Sequence, residues 1–245
     1  MIAKTSAIVL RTVDFQESSI IATVFTLSHG KVALMAKGAR RPKSKFAAIL
    51  SPGQLIEVVF YYKRTRNVQT LSEASYEQML STFRTDMEKM AMVGSVTELV
   101  DHAVHDNEEN RELFQFLQKF LVWLHHQPAV SGLLFPYVQM RLGERIGIGL
   151  QTGMEQVPPR GGYLNVETGW ISPDPEDDHS IRLTPKQTLF VVEALTTRKP
   201  SIFDHKLSTN EQKELITALD RYLGYHLGGM KPRRSDTIFH QLLNG

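Results

Sequence analysis

Apolar and polar positions follow two different periods along this chain. As far as residue 76 the apolar residues come in short β-branched runs, "SAIVLRTV", "IIATVFTL" and "LIEVVFYY", which predict half-buried strands. "LSHGKVALMAKG" reads as a hairpin turning at Ser28-His29-Gly30, and "KRTRNVQTL" as a second with Arg66-Asn67 at its turn. Between the third and fourth strands lies "KSKFAAIL", long enough for one or two helical turns, and it runs into the turn signal Ser51-Pro52-Gly53. Five strands with a short helix between the third and fourth are the order of an OB-fold barrel. An SH3-like barrel has a similar strand count and stays open as the alternative.

From residue 79 the period becomes helical. Met79, Phe83, Met87, Met90 and Gly94 fall at steps of three and four, as on one helix face. Asp106 and Asn107, followed by Glu108 and Glu109, predict the start of the next helix. "LFQFLQKFLVWL" is apolar on nearly all sides, so it predicts a central buried helix, closed by Pro128. Phe114, Phe116, Phe120 and Trp123 belong to that core rather than to a ligand box. "LLFPYVQMRLGERIGI" predicts a third helix that begins near Pro136 or kinks there. Residues 150–180 break the pattern with Gly, Pro and acidic clusters and read as a loop with one hairpin. Helices resume at two capping boxes, Thr184-Pro185-Lys186-Gln187 and Ser208-Thr209-Asn210-Glu211. The second helix carries Leu215, Leu219, Tyr222, Leu223 and His226 on one face and stops at Gly228-Gly229. The predicted class is multi-domain β plus α, with an OB-fold barrel over 1–78 and a helical domain over 79–245 that contains the 150–180 insertion.

Composition narrows the chemistry. The chain has 245 residues, 42% of them apolar, which suffices for a core without disulfides. It has no cysteine, which excludes disulfides, a thiolate nucleophile and any cysteine-built metal site, and fits a reducing compartment. "MIAKTSAIVLRTVDFQ" holds no apolar run of signal-peptide length, and no stretch approaches the roughly 18 apolar residues of a membrane span. A soluble, cytoplasmic protein is therefore expected, associated with the nucleoid if its partner is DNA. Net charge is only +2. Its distribution is uneven: residues 1–80 balance at +6, 81–180 at −8 and 181–245 at +4. Basic ends around an acidic middle point to nucleic-acid contact at the ends.

The densest basic run is "KGARRPKSK", with Lys37, Arg40, Arg41, Lys43 and Lys45 and no acid. Lys63, Arg64 and Arg66 crowd the turn between the last two strands. In an OB-fold barrel such loops flank the oligonucleotide face. Cations there would neutralise phosphates and release counterions, with the arginines bonding phosphate bidentately and the lysines acting as point charges. Gly38 would let the backbone approach a phosphate. Phe15, Phe46, Phe60, Tyr61 and Tyr62 are the aromatics available for base stacking. Alternation puts Phe60 and Tyr62 on one strand face and Tyr61 on the other, so only part of this set is free.

Two ends of the chain carry a family resemblance. Glu17-Ser18-Ser19, Thr26, Gly30, the Lys37-Gly38-Ala39-Arg40 core followed by Ser44, and Leu71-Ser72-Glu73-Ala74 resemble the N-terminal domain of the bacterial RecO recombination mediators. "YLGYHLGGMKPRRSDTIF" resembles that family's final helix and basic exit. The resemblance implies an OB-fold joined to helices and a role in DNA repair. It implies binding of single- and double-stranded DNA, annealing, and help to a RecA-type recombinase in displacing single-stranded-DNA-binding protein, with RecR as partner. It also carries the DNA surface over to Lys37, Arg40, Arg41, Lys43 and Lys45. Many members hold a four-cysteine zinc module where this chain has "LQTGMEQVPPRGGYLNVETGWISPDPEDDHS"; here Tyr163, Leu164 and Trp170 are expected to hold the loop instead. Some members bind the acidic tail of single-stranded-DNA-binding protein beside an arginine-rich helix start, which reads Pro136-Tyr137-Val138-Gln139 here. Arg141 and Arg145, or Lys231, Arg233 and Arg234, are the substitute candidates.

Other chemistry is poorly supplied. His102 and His105 lie near Asp101 and Asp106 but suit exposed helix ends, and His125 and His126 suit a helix C-terminus. "DPEDDH" lacks the ligand spacing and glycine of an EF-hand. No G-x-S-x-G elbow, P-loop or H-E-x-x-H is present. The expectation is a non-enzyme without catalytic residues, metal or cofactor; an interaction adaptor and an RNA-binding OB-fold protein are the competing readings.

Overall fold

The structure, a computed structural model, describes residues 1–229. Lys231, Arg233 and Arg234 lie outside the described residues. Strand β1 (Ile2–Phe15) pairs antiparallel with both β2 (Ser19–Thr26) and β4 (Leu55–Tyr61), and β2 pairs antiparallel with β3 (Gly30–Ala36). Strand β5 (Val68–Gln78) runs antiparallel to β4 and parallel to β3, closing a barrel in the order β1-β2-β3-β5-β4. The one-turn helix α1 (Phe46–Ile49) lies between β3 and β4. That helix and the parallel β3–β5 pair settle the OB-fold over the SH3-like alternative. Ala7, Val9, Ala22, Val24, Leu34 and Val58 fill the interior, as strand alternation requires.

Ile8 and Phe25, paired in register on β1 and β2, point the other way yet are fully buried. Helices cover them. After the single turn α2 (Thr82–Thr85), Asp86 caps α3 (Met87–Ala103) by accepting a hydrogen bond from the Lys89 N–H at 3.1 Å. The capped α3 packs on β1 and against α4 (Arg111–His126), whose Phe114 ring lies 5.8 Å from that of Phe25. Two expectations are corrected here. The stripe of Met79, Met87 and Met90 is exposed, because a break at Asp86 interrupts the helix and α3 turns a different face inward. It is α3, sandwiched between barrel and α4, that is buried on nearly all sides, while α4 keeps Gln115, Lys119 and His126 in solvent.

The start of α4 also moves. Its cap is Asn110, whose Oδ1 accepts from the Leu113 N–H at 2.9 Å. Residues 105–109 instead lie along β3: the Asn107 N–H donates to the Lys31 carbonyl at 3.0 Å. Barrel, α2, α3 and α4 make one compact unit, Met1–Pro128. The last barrel strand ends at Gln78, but the compact unit continues fifty residues further, because α3 covers apolar positions on the outside of the strands.

The second unit begins at Ala129. Helix α5 (Leu134–Arg145) starts at the predicted place, with Pro136 in its first turn, where a missing N–H removes no helical bond. Residues 150–183 hold more structure than one hairpin. The strands β6 (Gln151–Thr152), β7 (Gly162–Asn165), β8 (Trp170–Ser172) and β9 (Ser180–Leu183) form a sheet in the order β6-β8-β7-β9. Leu164, Ile171 and Leu183 are its buried apolar side chains, whereas Tyr163 is half-buried and Trp170 exposed. Among the described residues no group of three or more His, Asp or Glu could hold a metal ion. Both capping boxes are present, at Thr184 before α6 (Pro185–Thr196) and at Ser208 before α7 (Thr209–His226), with a 3₁₀ turn at Pro200–Asp204 between them. Leu215, Leu219, Tyr222 and Leu223 form the buried face of α7. Gln139 of α5 is pinned there, donating to Asp220 Oδ1 at 2.7 Å and to the Ile216 carbonyl at 3.3 Å. No helix among the described residues is long and apolar enough to cross a membrane.

Two stability predictions follow from the first unit. Gly30 has φ +62°, and a Cβ there would stand 2.2 Å from the Glu108 carbonyl oxygen. Gly30→Ala is therefore expected to cost about 2–4 kcal/mol in a urea melt. His125 Nδ1 lies 2.7 Å from Thr82 Oγ1, and burial, with help from the charges of His126 and Lys89, lowers its pKa. The folded state binds the ring's proton less readily than the unfolded chain, which takes it up near the ordinary histidine value of about 6.5. Stability should be complete above that pH and fall as pH drops below it; melts of His125→Gln should lose part of this slope.

Candidate nucleic-acid interface

The basic loop leaves the end of β3 as two linked turns. The Arg41 N–H donates to the Gly38 carbonyl at 3.1 Å and the Ser44 N–H to the Arg41 carbonyl at 3.0 Å. Gly38 and Lys43 both take φ +70°, so the glycine answers a left-handed backbone. Ala39 is buried in the barrel core, and the Arg40 N–H donates to the Ser18 carbonyl at 2.9 Å. The loop is thereby anchored at its middle to the β1–β2 hairpin. Two separate sequence elements, Glu17-Ser18-Ser19 and Lys37-Gly38-Ala39-Arg40, meet through that one bond.

Anchoring the backbone leaves the charges outside. Lys37, Arg40, Arg41, Lys43 and Lys45 are all exposed. Arg40 Nε lies 3.4 Å from Asp14 Oδ2, with both side chains in solvent, a pair worth little. Lys37, Arg41, Lys43 and Lys45 have no carboxylate partner among the described residues. The same holds for Lys63, Arg64 and Arg66, also exposed.

The second basic turn is built on Gln69, which sequence reasoning passed over. Its side chain is 2% exposed. Oε1 accepts from the Lys63 N–H at 2.9 Å, and Nε2 donates to the Lys63 carbonyl at 3.0 Å and the Arg66 carbonyl at 2.7 Å. One buried amide therefore substitutes for a strand partner across the whole turn. The signal available was a Gln between the apolar Val68 and Leu71 at the start of the strand, two residues after the turn.

Register decides where the two turns lie. Gln69 sits beside Leu34 in the parallel β3–β5 pair, so the Lys63–Arg66 turn falls at the start of β3 and the Lys37 loop at its end. His29 and Tyr62 rings 5.0 Å apart mark the same end as the Lys63 turn. The seven residues of β3, at about 3.3 Å each, separate the two turns by roughly 20 Å. Of the aromatics, Phe60 is buried and Tyr62 packs against the core, whereas Tyr61 is exposed beside the Lys63 turn. Phe15 and Phe46 are half-buried. Lys31, on the outer face of β3, is turned away from solvent, its Nζ donating to the Asp101 carbonyl at 2.6 Å. Asp101 also binds Arg11 Nε at 2.7 Å, so these two barrel cations serve the α3 contact.

The partner-site candidates separate. Arg141 is 5% exposed. Its Nη2 donates to the carbonyls of Ala194 at 2.6 Å and Thr197 at 3.1 Å, capping the end of α6, and its Nη1 to Glu144 at 2.8 Å. Arg141 is thus a structural residue, a correction to its candidacy as a ligand for a partner's tail. Arg145 Nη1 is likewise occupied with the Arg141 carbonyl at 2.9 Å. Burial alone would raise the Glu144 carboxyl, but Arg141, with Arg198 and Arg145 near, holds it below the usual carboxylate range. His125 lies in the last turn of α4 as read, but its ring packs on Thr82 and Phe83, and burial with the neighbouring charges lowers its pKa.

The architecture places the chain among proteins that join an OB-fold barrel to a helical region. The family model described as "Recombination protein O N terminal" matches residues 1–79, and "Recombination protein O C terminal" matches residues 84–153. The DNA repair protein RecO of Salinibacter ruber is 31% identical over 245 residues, spanning 98% of this chain and 94% of its own. Those of Pelodictyon phaeoclathratiforme and Chloroherpeton thalassium are 26% and 29% identical, each covering 99% of this chain and 99% and 100% of their own. This chain belongs to the RecO family of DNA repair proteins.

Gln69→Leu should release the turn without altering charge. The Lys63 amide should lose its protection from hydrogen exchange while β1 and β2 amides keep theirs, and stability should fall by about 1–3 kcal/mol.

Proposed function

We propose that this chain is a non-enzymatic recombination mediator whose barrel holds DNA by its phosphates. The observation that carries the reading is the group of seven exposed cations without carboxylate partners among the described residues, set at the two ends of β3. The span of roughly 20 Å between the turns matches about six phosphates at 3.4 Å each. Tyr61, exposed beside the Lys63 turn, supplies a face on which a base can stack. Nothing in this set reads base edges, so the binding is non-specific and covers single- and double-stranded DNA. Holding strands by phosphate leaves bases free to pair, which supports annealing. Membership in the RecO family supports the remaining roles: acting with RecR to help load a RecA-type recombinase onto DNA coated with single-stranded-DNA-binding protein.

The test is salt-dependent binding of oligonucleotides by the full chain. Replacing Lys37, Arg41 and Lys43 together with Ala should weaken binding to every sequence and flatten the log–log salt slope by about 2. An unchanged slope would refute the assigned surface. Annealing of complementary strands coated with single-stranded-DNA-binding protein should slow in the same variant.

A further inference from the structure

The second unit carries basic chemistry that the barrel reading does not use. Lys213, Thr217 and Arg221 follow one another at four-residue steps on α7, which stacks them on one side of the helix. Eight residues at about 1.5 Å each put the two cations roughly 12 Å apart along the axis. Arg182, on the exposed alternation of β9 next to buried Leu183, stands across from them. Between these elements runs a groove of about 320 Å³ whose lining includes Ile181 and Ala218.

The polar groups of the groove are unevenly committed. Gln187 is fully used: it accepts from the Thr184 N–H at 2.8 Å and donates to the Glu211 carbonyl at 2.7 Å. Glu214, the one acid in the lining, is held by Asn210 Nδ2 at 2.8 Å. Arg182 and Arg221 are exposed and have no ion-pair partner among the described residues. Arg182 and Arg221 therefore stand uncommitted on a concave surface whose one carboxylate is already engaged.

We propose that this groove is a second phosphate-binding site, for the backbone of a nucleic-acid strand, separate from the barrel loops. An acidic peptide is the other polyanion to weigh. Peptides in grooves are anchored by apolar side chains in pockets. Here the apolar lining is a half-buried Ile and an Ala, which gives an anchor little to fill. A phosphate backbone needs the opposite: small residues below for close approach and cations along the rim at the spacing of a few phosphates. The site stands on residues of the second unit alone, so it does not depend on the barrel surface being correct.

Arg182→Ala with Arg221→Ala in the full chain should flatten the salt slope for a single-stranded oligonucleotide by about 1.4, and Thr217→Lys should steepen it by about 0.7. A photocrosslinking residue at position 217 should label with the oligonucleotide. The same pair of changes made on top of Lys37, Arg41 and Lys43 to Ala should lower the residual binding further. If the barrel variant weakens binding and the groove variants leave the slope unchanged, without crosslinking at 217, the groove proposal is overturned and the barrel reading stands. Effects from the groove alone overturn the barrel reading and support the groove. Displacement of the crosslink by an oligo-aspartate peptide at lower concentration than by the oligonucleotide would overturn the nucleic-acid assignment.

Discussion

The first unit depends on a short parallel pairing, residues 33–35 of β3 with 68–70 of β5. Without it the strands form an open sheet; with it the barrel closes and loses its edges. The pairing also sets the site. Since β3 and β5 run the same way, the chain must enter β5 at the end where β3 begins. The basic loop after β3 is therefore forced to the far end from the basic turn before β5. Gln69 lies within the pairing itself, so the residue that helps close the barrel also holds the second turn. Closure and presentation of charge are one construction.

Docking of α3 and α4 decides what remains available. An OB-fold offers the outer face of its second and third strands, as well as its loops, to a ligand. Here Phe25 on that face meets Phe114, Lys31 binds Asp101, and Gly30 has the backbone of Glu108 against it. Burying these positions stabilises the unit by removing apolar surface from water. It also withdraws much of the face from any ligand. What stays open at the two ends is loop, and the loops carry the cations.

Two arginines show how little residue type alone says. Arg41 and Arg141 are identical in chemistry. Arg41 sits on a turn whose middle is anchored through Ala39 and the Arg40 N–H, which leaves its guanidinium in solvent. Arg141 lies on the inner side of α5, where leaving a guanidinium unpaired would be costly, and it is satisfied by the last carbonyls of α6, by Glu144 and by the Tyr137 ring 5.0 Å away. The first is free to meet a partner; the second is part of the scaffold.

Local signals carried much of this protein. The β-branched runs, the turn at Gly30, both capping boxes and the apolar face of α7 act over a few residues, so they are legible in order along the chain. So was the concentration of charge at Lys37–Lys45. The misreadings lie where an element is covered from two sides. α3 was read by its methionine stripe, yet contact with both barrel and α4 buries its other faces and leaves the methionines outside. At 151–183 one hairpin was read, but the four-stranded sheet was not, because strands of two to four residues carry no periodicity. The sequence by itself determined the barrel, the helical caps and the supply of cations. Tertiary structure alone decided which cations are free and how far apart they stand, because pairing, burial and register join residues that no local pattern connects.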